Sequence, residues 1–497
     1  MNRALRRISI GVLVMFLLLL VNVNYLQGVE PASLATEPGN SRAFYATQNQ
    51  YERGSIVTSD GVTIAASKPS SNSDDSIKYQ RSYPLGEEYA PVTGYDTLYS
   101  QTGIEAAENP LLSGNDSALD VRKIIDLITG KTTKGATIQV TINSAAQNAA
   151  WQALEATGKP GGVVAIDPST GKILAMASYP SYNPNLLATH DSTQLVKADN
   201  ELLRAAGNPL LNRTTQATYP PGSTFKIVTS SALLTQDPST TVNTNVASPT
   251  TLTLPQTTHV LTNDDGEACG NGSGQAPLIT AFAQSCDTTF GKIGMDLGGS
   301  ALNAMAEKFG VNDANLTIPL GVTKSNYTIP PSPPLTAYSA IGQFDDAVSP
   351  LQEAMFAAAI ANGGTLMKPY LVQQVTASDL STVTATTPSV LSQPVSASVA
   401  SDVQQMMRAV VQDPDGTGYA FNAQAEDGIV IAGKTGTAQN GANNTGLDDA
   451  AFTSFAPYGN PKIAVGVIIQ GGGYGATAAA PIAVQVIKAY LATLGIK

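Results

Sequence analysis

The sequence holds a serine with a candidate base one helical turn away. In Pro220-Pro221-Gly222-Ser223-Thr224-Phe225-Lys226 the prolines stop whatever precedes them, and the apolar run Ile227, Val228, Ala232, Leu233 and Leu234 follows. The pattern predicts a helix over residues 223–234. Ser223 then lies on its first turn, where the hydroxyl meets the positive end of the helix dipole and the amide is free to donate. Lys226 sits three positions on, on the same face. A serine beside a desolvated, neutral lysine is a nucleophile with its base attached. Taken alone, Ser-x-x-Lys arises about once by chance in a chain of this length.

Two further stretches carry polar groups where packing alone does not ask for them. Ser285-Cys286-Asp287 falls inside a second predicted helix, residues 276–297; in isolation it reads as a polar notch for packing or capping. Lys434-Thr435-Gly436-Thr437 follows the strand-like run Val430-Ile431-Ala432-Gly433. A lysine on an edge strand, with a glycine that lets the backbone approach a ligand, suits carboxylate binding and an oxyanion site. An ordinary charged edge strand is the plain alternative. Residues 428–435 also match the P-loop pattern formally, but the intervening residues are apolar and mostly β-branched, and Gly436 interrupts the helix that should begin at the lysine. That reading is set aside.

Composition removes much of the competing chemistry. The chain has 497 residues and a net charge of −11, with a sequence pI near 4.7. Nucleic acid is excluded as a partner, because phosphate binding needs a positive patch. With two His and two Cys, a three-His zinc site is impossible and a Cys-rich metal site is disfavoured, so no metal is expected. A His-dependent serine triad would have to use His190 or His259.

The elements that must position these residues begin with the N-terminus. Arg3, Arg6 and Arg7 precede an apolar run from Ile8 to Leu20 that continues to Leu26. Its length approaches the roughly 20 residues that span a bilayer. A secretory signal has the same charge order, but Ala32-Ser33-Leu34-Ala35 is a poor cleavage site, lying well past the apolar core. The expectation is a transmembrane signal anchor over 8–27, with residues 1–7 cytoplasmic and the remainder outside the cell membrane. Disulfides are permitted there, and Cys269 and Cys286 are read as bridged, two separate reduced thiols being the alternative.

Residues 28–50 read as a linker and 51–158 as a small β-rich domain, with a polar loop at 69–76. A helix is expected over 144–156. Gly162-Val163-Val164-Ala165-Ile166-Asp167 and Lys172 to Ser178 read as a hairpin closed by Pro168-Ser169-Thr170-Gly171. Further strands are expected at 430–433, 452–456 and 463–470, and a closing helix at 478–494. Helices at 223–234, 276–297, 301–309, 349–361 and 396–411 lie between the two strand groups. Residues 237–275 and 376–395 read as irregular or strand-like insertions. Strands from both ends around a helical middle imply an α+β domain over 159–497, built on an antiparallel sheet flanked by helices.

Together and in order, the three stretches resemble the Ser-x-x-Lys, Ser-x-Asn and Lys-Thr-Gly set of penicillin-interacting serine enzymes. The chain closely resembles class B penicillin-binding proteins, most of all their actinobacterial penicillin-binding protein A group. Residues 162–185, Asn212-Arg213, Ser349-Pro350-Leu351-Gln352 and Ala361-Asn362-Gly363-Gly364 carry the likeness further. Arg53-Gly54-Ser55-Ile56, Arg81-Ser82-Tyr83-Pro84 and Gly103-Ile104-Glu105 resemble the family's non-catalytic, dimerisation-like module.

The resemblance implies a five-stranded antiparallel sheet and a peptidoglycan D,D-transpeptidase that takes stem peptides, is blocked by β-lactams and needs no cofactor. Ser223 would attack the penultimate D-Ala, Lys226 would take its proton, and Ser285 would relay a proton to the leaving amine near Lys434. Thr435 and Thr437 would hold the substrate carboxylate, the amides of Ser223 and Thr437 would make the oxyanion hole, and Asp287, Lys434 and Gly436 would complete the substrate-binding set. Asp287 stands where the family usually has Asn, and residues 448–452 lack the His-Ala-Trp that often precedes the phenylalanine. A class A enzyme would need a glycosyltransferase domain of roughly 200 residues, more than the space before residue 162. A β-lactamase would need a carboxylate that activates water. A D,D-carboxypeptidase, or a β-lactam sensor or scaffold among divisome proteins, remains the alternative.

Overall fold

The computed structural model of the protein describes residues 2–28, 52–70, 78–119, 128, 134–420, 428–439 and 446–496. Most of the expected linker and of the polar loop at 69–76 lie outside these residues. Helix α1 (Asn2–Gly28) carries the apolar N-terminal run, with its large side chains exposed along one stretch from Ile10 to Tyr25.

Four short strands follow: β1 (Ile56–Val57), β2 (Thr63–Pro69), β3 (Tyr79–Ser82) and β4 (Thr137–Val140). They are ordered β3-β2-β1-β4, and β1 runs parallel to β4. The three motifs of this region converge on Glu105, in the short helix α2 (Gly103–Ala107). Arg53 Nε and Arg81 Nε each donate to a separate carboxylate oxygen of Glu105 at 2.6 Å, all three side chains being buried. Arg53 also donates to Asn109 Oδ1 and to the Glu105 carbonyl. Burial alone would raise the Glu105 carboxyl, but Arg81 and Arg53 hold it below its usual range.

Helix α3 (Ser144–Glu155) starts on Asn143, whose side chain accepts from the Ala146 amide. The expected hairpin is present as β5 (Gly161–Ile166) and β6 (Ile173–Tyr179). The helical middle includes α4 (Lys226–Gln236), α5 (Leu278–Ala283), α6 (Asp287–Leu297), α7 (Pro350–Ala361) and α8 (Ala397–Gln412). Strands β9 (Ala432–Ala438), β10 (Asp449–Ala456) and β11 (Ile463–Ile469) then complete an antiparallel five-stranded sheet, order β9-β10-β11-β5-β6. The two strand groups meet as expected, with Ala464 opposite Ile166.

Both faces of this sheet are covered, which is why its strands read as continuous apolar runs. Val163, Ala165, Val465 and Val467 pack with α3 and the closing helix α9 (Ala480–Thr493). Their neighbours Val164, Ile166, Ala464 and Ile468 pack on the opposite side with α7. Every residue of α7 is buried. Its start is set by Ser349, whose hydroxyl accepts from the Gln352 amide, with Pro350 at the first helical position.

The structure corrects the sequence reading in four places. The helix expected at 276–297 is two helices, broken at Gln284-Ser285-Cys286 because Ser285 takes a left-handed backbone, φ 59°. The strand expected at 430–433 begins at Ala432 instead, and it runs on through the Lys-Thr-Gly-Thr stretch, as the edge-strand reading expects. The insertion at 376–395 is strand-like as expected, supplying β8 (Thr382–Ala385), but with β7 (Val372–Thr376) it extends the N-terminal sheet through β7–β4 pairing, which was not expected. That sheet therefore draws on both halves of the chain. Helices Gly86–Thr93 and Ser192–Arg204 also went unread; Pro91 inside the first and a largely polar face on the second masked them.

Candidate active site

Ser223 sits on a tight 3₁₀ turn, Gly222–Phe225, that leads into α4. The turn is pressed against the edge strand β9, and the approach is close enough to require glycine on both sides. A Cβ on Gly222, at φ 55°, would lie 2.6 Å from the Thr437 carbonyl oxygen; one on Gly436 would lie 2.8 Å from the Pro221 carbonyl oxygen. The first contact also orients Thr437. Within one residue of an extended strand the N–H and C=O point to the same side, so the Thr437 amide faces the Ser223 turn rather than β10.

Lys226, fully buried, points its Nζ back to the nucleophile, 3.0 Å from Ser223 Oγ. The same nitrogen lies 3.1 Å from Ser285 Oγ, donates to the Ser285 carbonyl at 2.7 Å and meets Asp287 Oδ1 at 2.6 Å. Lys434 Nζ approaches Ser285 Oγ from the other side at 2.8 Å and donates to the Thr435 carbonyl at 3.0 Å. The break between α5 and α6 makes this possible. A left-handed serine, a conformation that costs on the order of 1–3 kcal/mol, turns both its carbonyl and its hydroxyl toward Lys226. The Cys269–Cys286 disulfide anchors the next residue. Asp287 then opens α6 as its first residue, an acidic group at the positive helix end.

The electrostatics suit proton transfer. Burial pushes Lys226 below the usual lysine range, with the Asp287 charge opposing the shift. Burial pushes Lys434 well below it, and the neighbouring Lys226 charge adds to the effect. The two nitrogens also stand 5.5 Å and 5.7 Å from the ring centres of Phe290 and Phe282, which exclude water from their far side. Ser285 Oγ thus bridges two lysines whose protonated forms are destabilised, while Ser223 and Ser285 stay partly open to solvent. A proton leaving Ser223 has a short path to Lys226 and onward through Ser285.

All the residues expected in the site converge: Ser223, Lys226, Ser285, Asp287 and Lys434 through side chains, and Thr435, Gly436 and Thr437 along β9. Three others were not anticipated. Thr417 Oγ1 contacts Thr435 Oγ1 at 2.6 Å, from the loop after α8. Thr224, beside the nucleophile, contacts Glu353 of α7. Glu353 had a signal in the sequence, being the lone charge in a helix that is apolar all round.

Residues 161–488 match the family described as the penicillin binding protein transpeptidase domain, and residues 53–138 the penicillin binding protein A dimerisation domain. The chain is 40% identical to the peptidoglycan D,D-transpeptidase PbpA of Mycolicibacterium smegmatis, over 99% of each chain. It is 38% identical to its namesake from Mycobacterium tuberculosis, again over 99% of each. The solved structure of penicillin-binding protein A from M. tuberculosis as an imipenem acyl-enzyme complex superposes with a TM-score of 0.83 at 38% identity, covering 90% of this chain and 100% of that one. With this site on this sheet, and relatives matched from end to end, the chain belongs to the penicillin-binding protein family of peptidoglycan D,D-transpeptidases.

Proposed function

We propose that the chain crosslinks peptidoglycan stem peptides through an acyl-enzyme on Ser223. The observation that carries this is the placement of Lys226 Nζ 3.0 Å from Ser223 Oγ, on a buried lysine held below its usual range. Lys226 takes the hydroxyl proton as Ser223 attacks the carbonyl of the penultimate D-Ala. The Ser223 and Thr437 amides stabilise the oxyanion. The proton passes through Ser285, with Lys434 beside it, to the departing D-Ala amine. Thr435 and Thr437 hold the substrate carboxylate, Gly436 lets the backbone approach closely, and Asp287 sets the charge on Lys226. An amine from a second strand then attacks the acyl group. A β-lactam enters the same path and stalls at the acyl stage.

The setting belongs to the same reading. Residues 8–27 of α1 cross the membrane, residues 1–7 are cytoplasmic, and 28–50 lead to a non-catalytic module and the transpeptidase domain on the cell-wall side. Because α3 packs on the catalytic sheet, we draw the working division ahead of it rather than at residue 158. The module is suited to docking cell-division proteins.

The test uses the full chain in detergent with labelled penicillin. Peptide mapping should place the adduct on Ser223, and Ser223→Ala should abolish it without unfolding the protein. Lys226→Ala should slow acylation by about 10²–10⁴-fold. An adduct on Ser285 would overturn the assignment. Supplying a D-Ala-D-Ala peptide with an added amine acceptor then separates transfer from hydrolysis.

A further inference from the structure

A fully buried acid lies behind the nucleophile, and the count of protons around it is informative. Thr224 Oγ1 is 2.8 Å from the Pro221 carbonyl oxygen and 2.6 Å from Glu353 Oε1. A hydroxyl has one proton to give. If it went to a Glu353 carboxylate, the 2.8 Å contact between the hydroxyl and the Pro221 carbonyl would hold no proton; if it goes to Pro221, the contact with Glu353 needs a proton from the carboxyl. Only a protonated Glu353 satisfies both contacts. The other oxygen, Oε2, makes no hydrogen bond among the described residues, which a neutral carboxyl tolerates far better than a carboxylate.

We propose that Glu353 is a positioning residue for acylation, which in its protonated form donates to Thr224 so that Thr224 donates to Pro221 and fixes the Ser223 turn against β9. The carboxyl is enclosed and reaches the nucleophile only through Thr224, so it touches no substrate. The turn it braces is the one whose backbone meets Gly436 and Thr437 across the site. When the acid ionises, the Thr224 hydroxyl proton turns to the carboxylate, the Pro221 carbonyl keeps only the backbone donor of the 3₁₀ turn, and the turn loses its side-chain brace.

The surroundings offer no cation to stabilise the ionised form. Strands β5 and β11, which flank α7, carry no charged residue; β10 has only Asp449, and α8 has Asp402 and Arg408. Arg213 precedes Thr214, which bonds to the start of α7, and Lys226 and Lys434 lie toward the cleft. None of these makes a hydrogen bond or ion pair with Glu353 among the described residues. Burial accordingly pushes its carboxyl up to about 8, opposed by the Thr224 contact.

The inference rests on acylation at Ser223, and the experiment separates the two. Acylation by labelled penicillin, measured on the full chain in detergent from pH 5 to 10, should rise as Lys226 loses its proton and turn down above about pH 8. Glu353→Gln, whose amide can donate to Thr224, should keep most of the rate at pH 7 and lose the downturn, running at least about fivefold above the wild type at pH 9.5, as expected from a one-proton loss. Thr224→Ser should keep the downturn. Thr224→Val should lower the rate at pH 7 and abolish the downturn.

A second readout does not depend on acylation. A carboxyl raised from its ordinary 4.5 to about 8 contributes stability that is complete below pH 4.5 and lost as pH rises to about 8. The melting temperature of Glu353→Gln relative to wild type should therefore climb between pH 5 and 8 and then level. A difference that stays flat over that range, or a downturn unchanged in Glu353→Gln, overturns the proposal. A Ser223 adduct missing from the wild type, with the melting-temperature trend intact, overturns the acyl-enzyme reading and leaves the protonated acid standing.

Discussion

At the residue scale, the position that departs from the family pattern is the one with the clearest consequence. Asp287 Oδ1 stands 2.6 Å from Lys226 Nζ, and a carboxylate there favours the ammonium form, which cannot act as a base. An asparagine would keep a carbonyl for Lys226 but remove the charge. Burial would then depress Lys226 without opposition, and more of it would be neutral at any given pH. Asp287→Asn is expected to acylate several-fold faster at pH 6–7, with the rising limb of its rate profile displaced to lower pH. Stopped-flow acylation by labelled penicillin across pH measures this; a profile that superposes on the wild type would show that the ion pair is catalytically silent. The site residues were legible because three polar stretches interrupt otherwise apolar elements in a fixed order. Glu353 stood out only as a lone charge in an apolar helix and Thr224 not at all, since their meaning lies in a contact between positions 129 apart in the chain.

At the scale of elements, the informative feature is the break between α5 and α6. The apolar periodicity of 276–297 runs through it, so the sequence read as one helix. What stops the helix is the left-handed Ser285, and no glycine or proline marks that position. The bridge from Cys269 to Cys286 ties the preceding loop to this break, closing 17 positions. A loop of that size contributes about 3 kcal/mol in the chain-entropy model. Cys269→Ser is therefore expected to lower the denaturant midpoint by a corresponding amount. It should also slow acylation, because Ser285 would no longer be held in its costly conformation; an unchanged midpoint and rate would remove the bridge from this role. A second element-level device is the Arg53–Glu105–Arg81 cluster joining the segment before β1 to β3 and α2. Removing the shared carboxylate with Glu105→Ala leaves the buried Arg81 without an ion-pair partner among the described residues and Arg53 with only Asp96, 3.6 Å away, and breaking such a cluster costs about 3–5 kcal/mol. Chemical unfolding followed by tryptophan fluorescence and far-ultraviolet circular dichroism should show that loss. A change below about 0.5 kcal/mol, the scatter of ordinary surface substitutions, would mean the cluster is dispensable.

At the scale of the molecule, the N-terminal module and the catalytic domain are joined by more than a linker. Strand β7, with Val375 opposite Ile138 of β4, brings residues more than 230 positions apart into one sheet, a pairing that no local pattern announces. The β5–β6 hairpin, by contrast, was readable from its turn residues alone. Two helices are long or apolar enough to raise the question of a membrane, and their surroundings separate them. The stretch Gly475–Thr493 has the length and hydropathy of a span, yet half of it is buried and Ile482, Val486 and Ile487 are core residues against the catalytic sheet. It cannot leave without opening the domain. In α1, the side chains from Ile10 through Val23 are instead mostly exposed, and Arg6 and Arg7 sit at its start. Each large apolar side chain there would gain about 1.5–3 kcal/mol on entering hydrocarbon, so the dozen or so in this run outweigh the charges at its end. The full chain is therefore expected to sediment with membranes and to resist extraction by high salt and by alkaline carbonate. A chain lacking residues 1–28 should move to the soluble fraction while acylating at a rate within about twofold of the full chain, since no group of the site lies on α1. If the shortened chain stayed with the membrane, another surface would have to hold it there; if it lost acylation, α1 would have a part in the domain that its exposed side chains do not suggest.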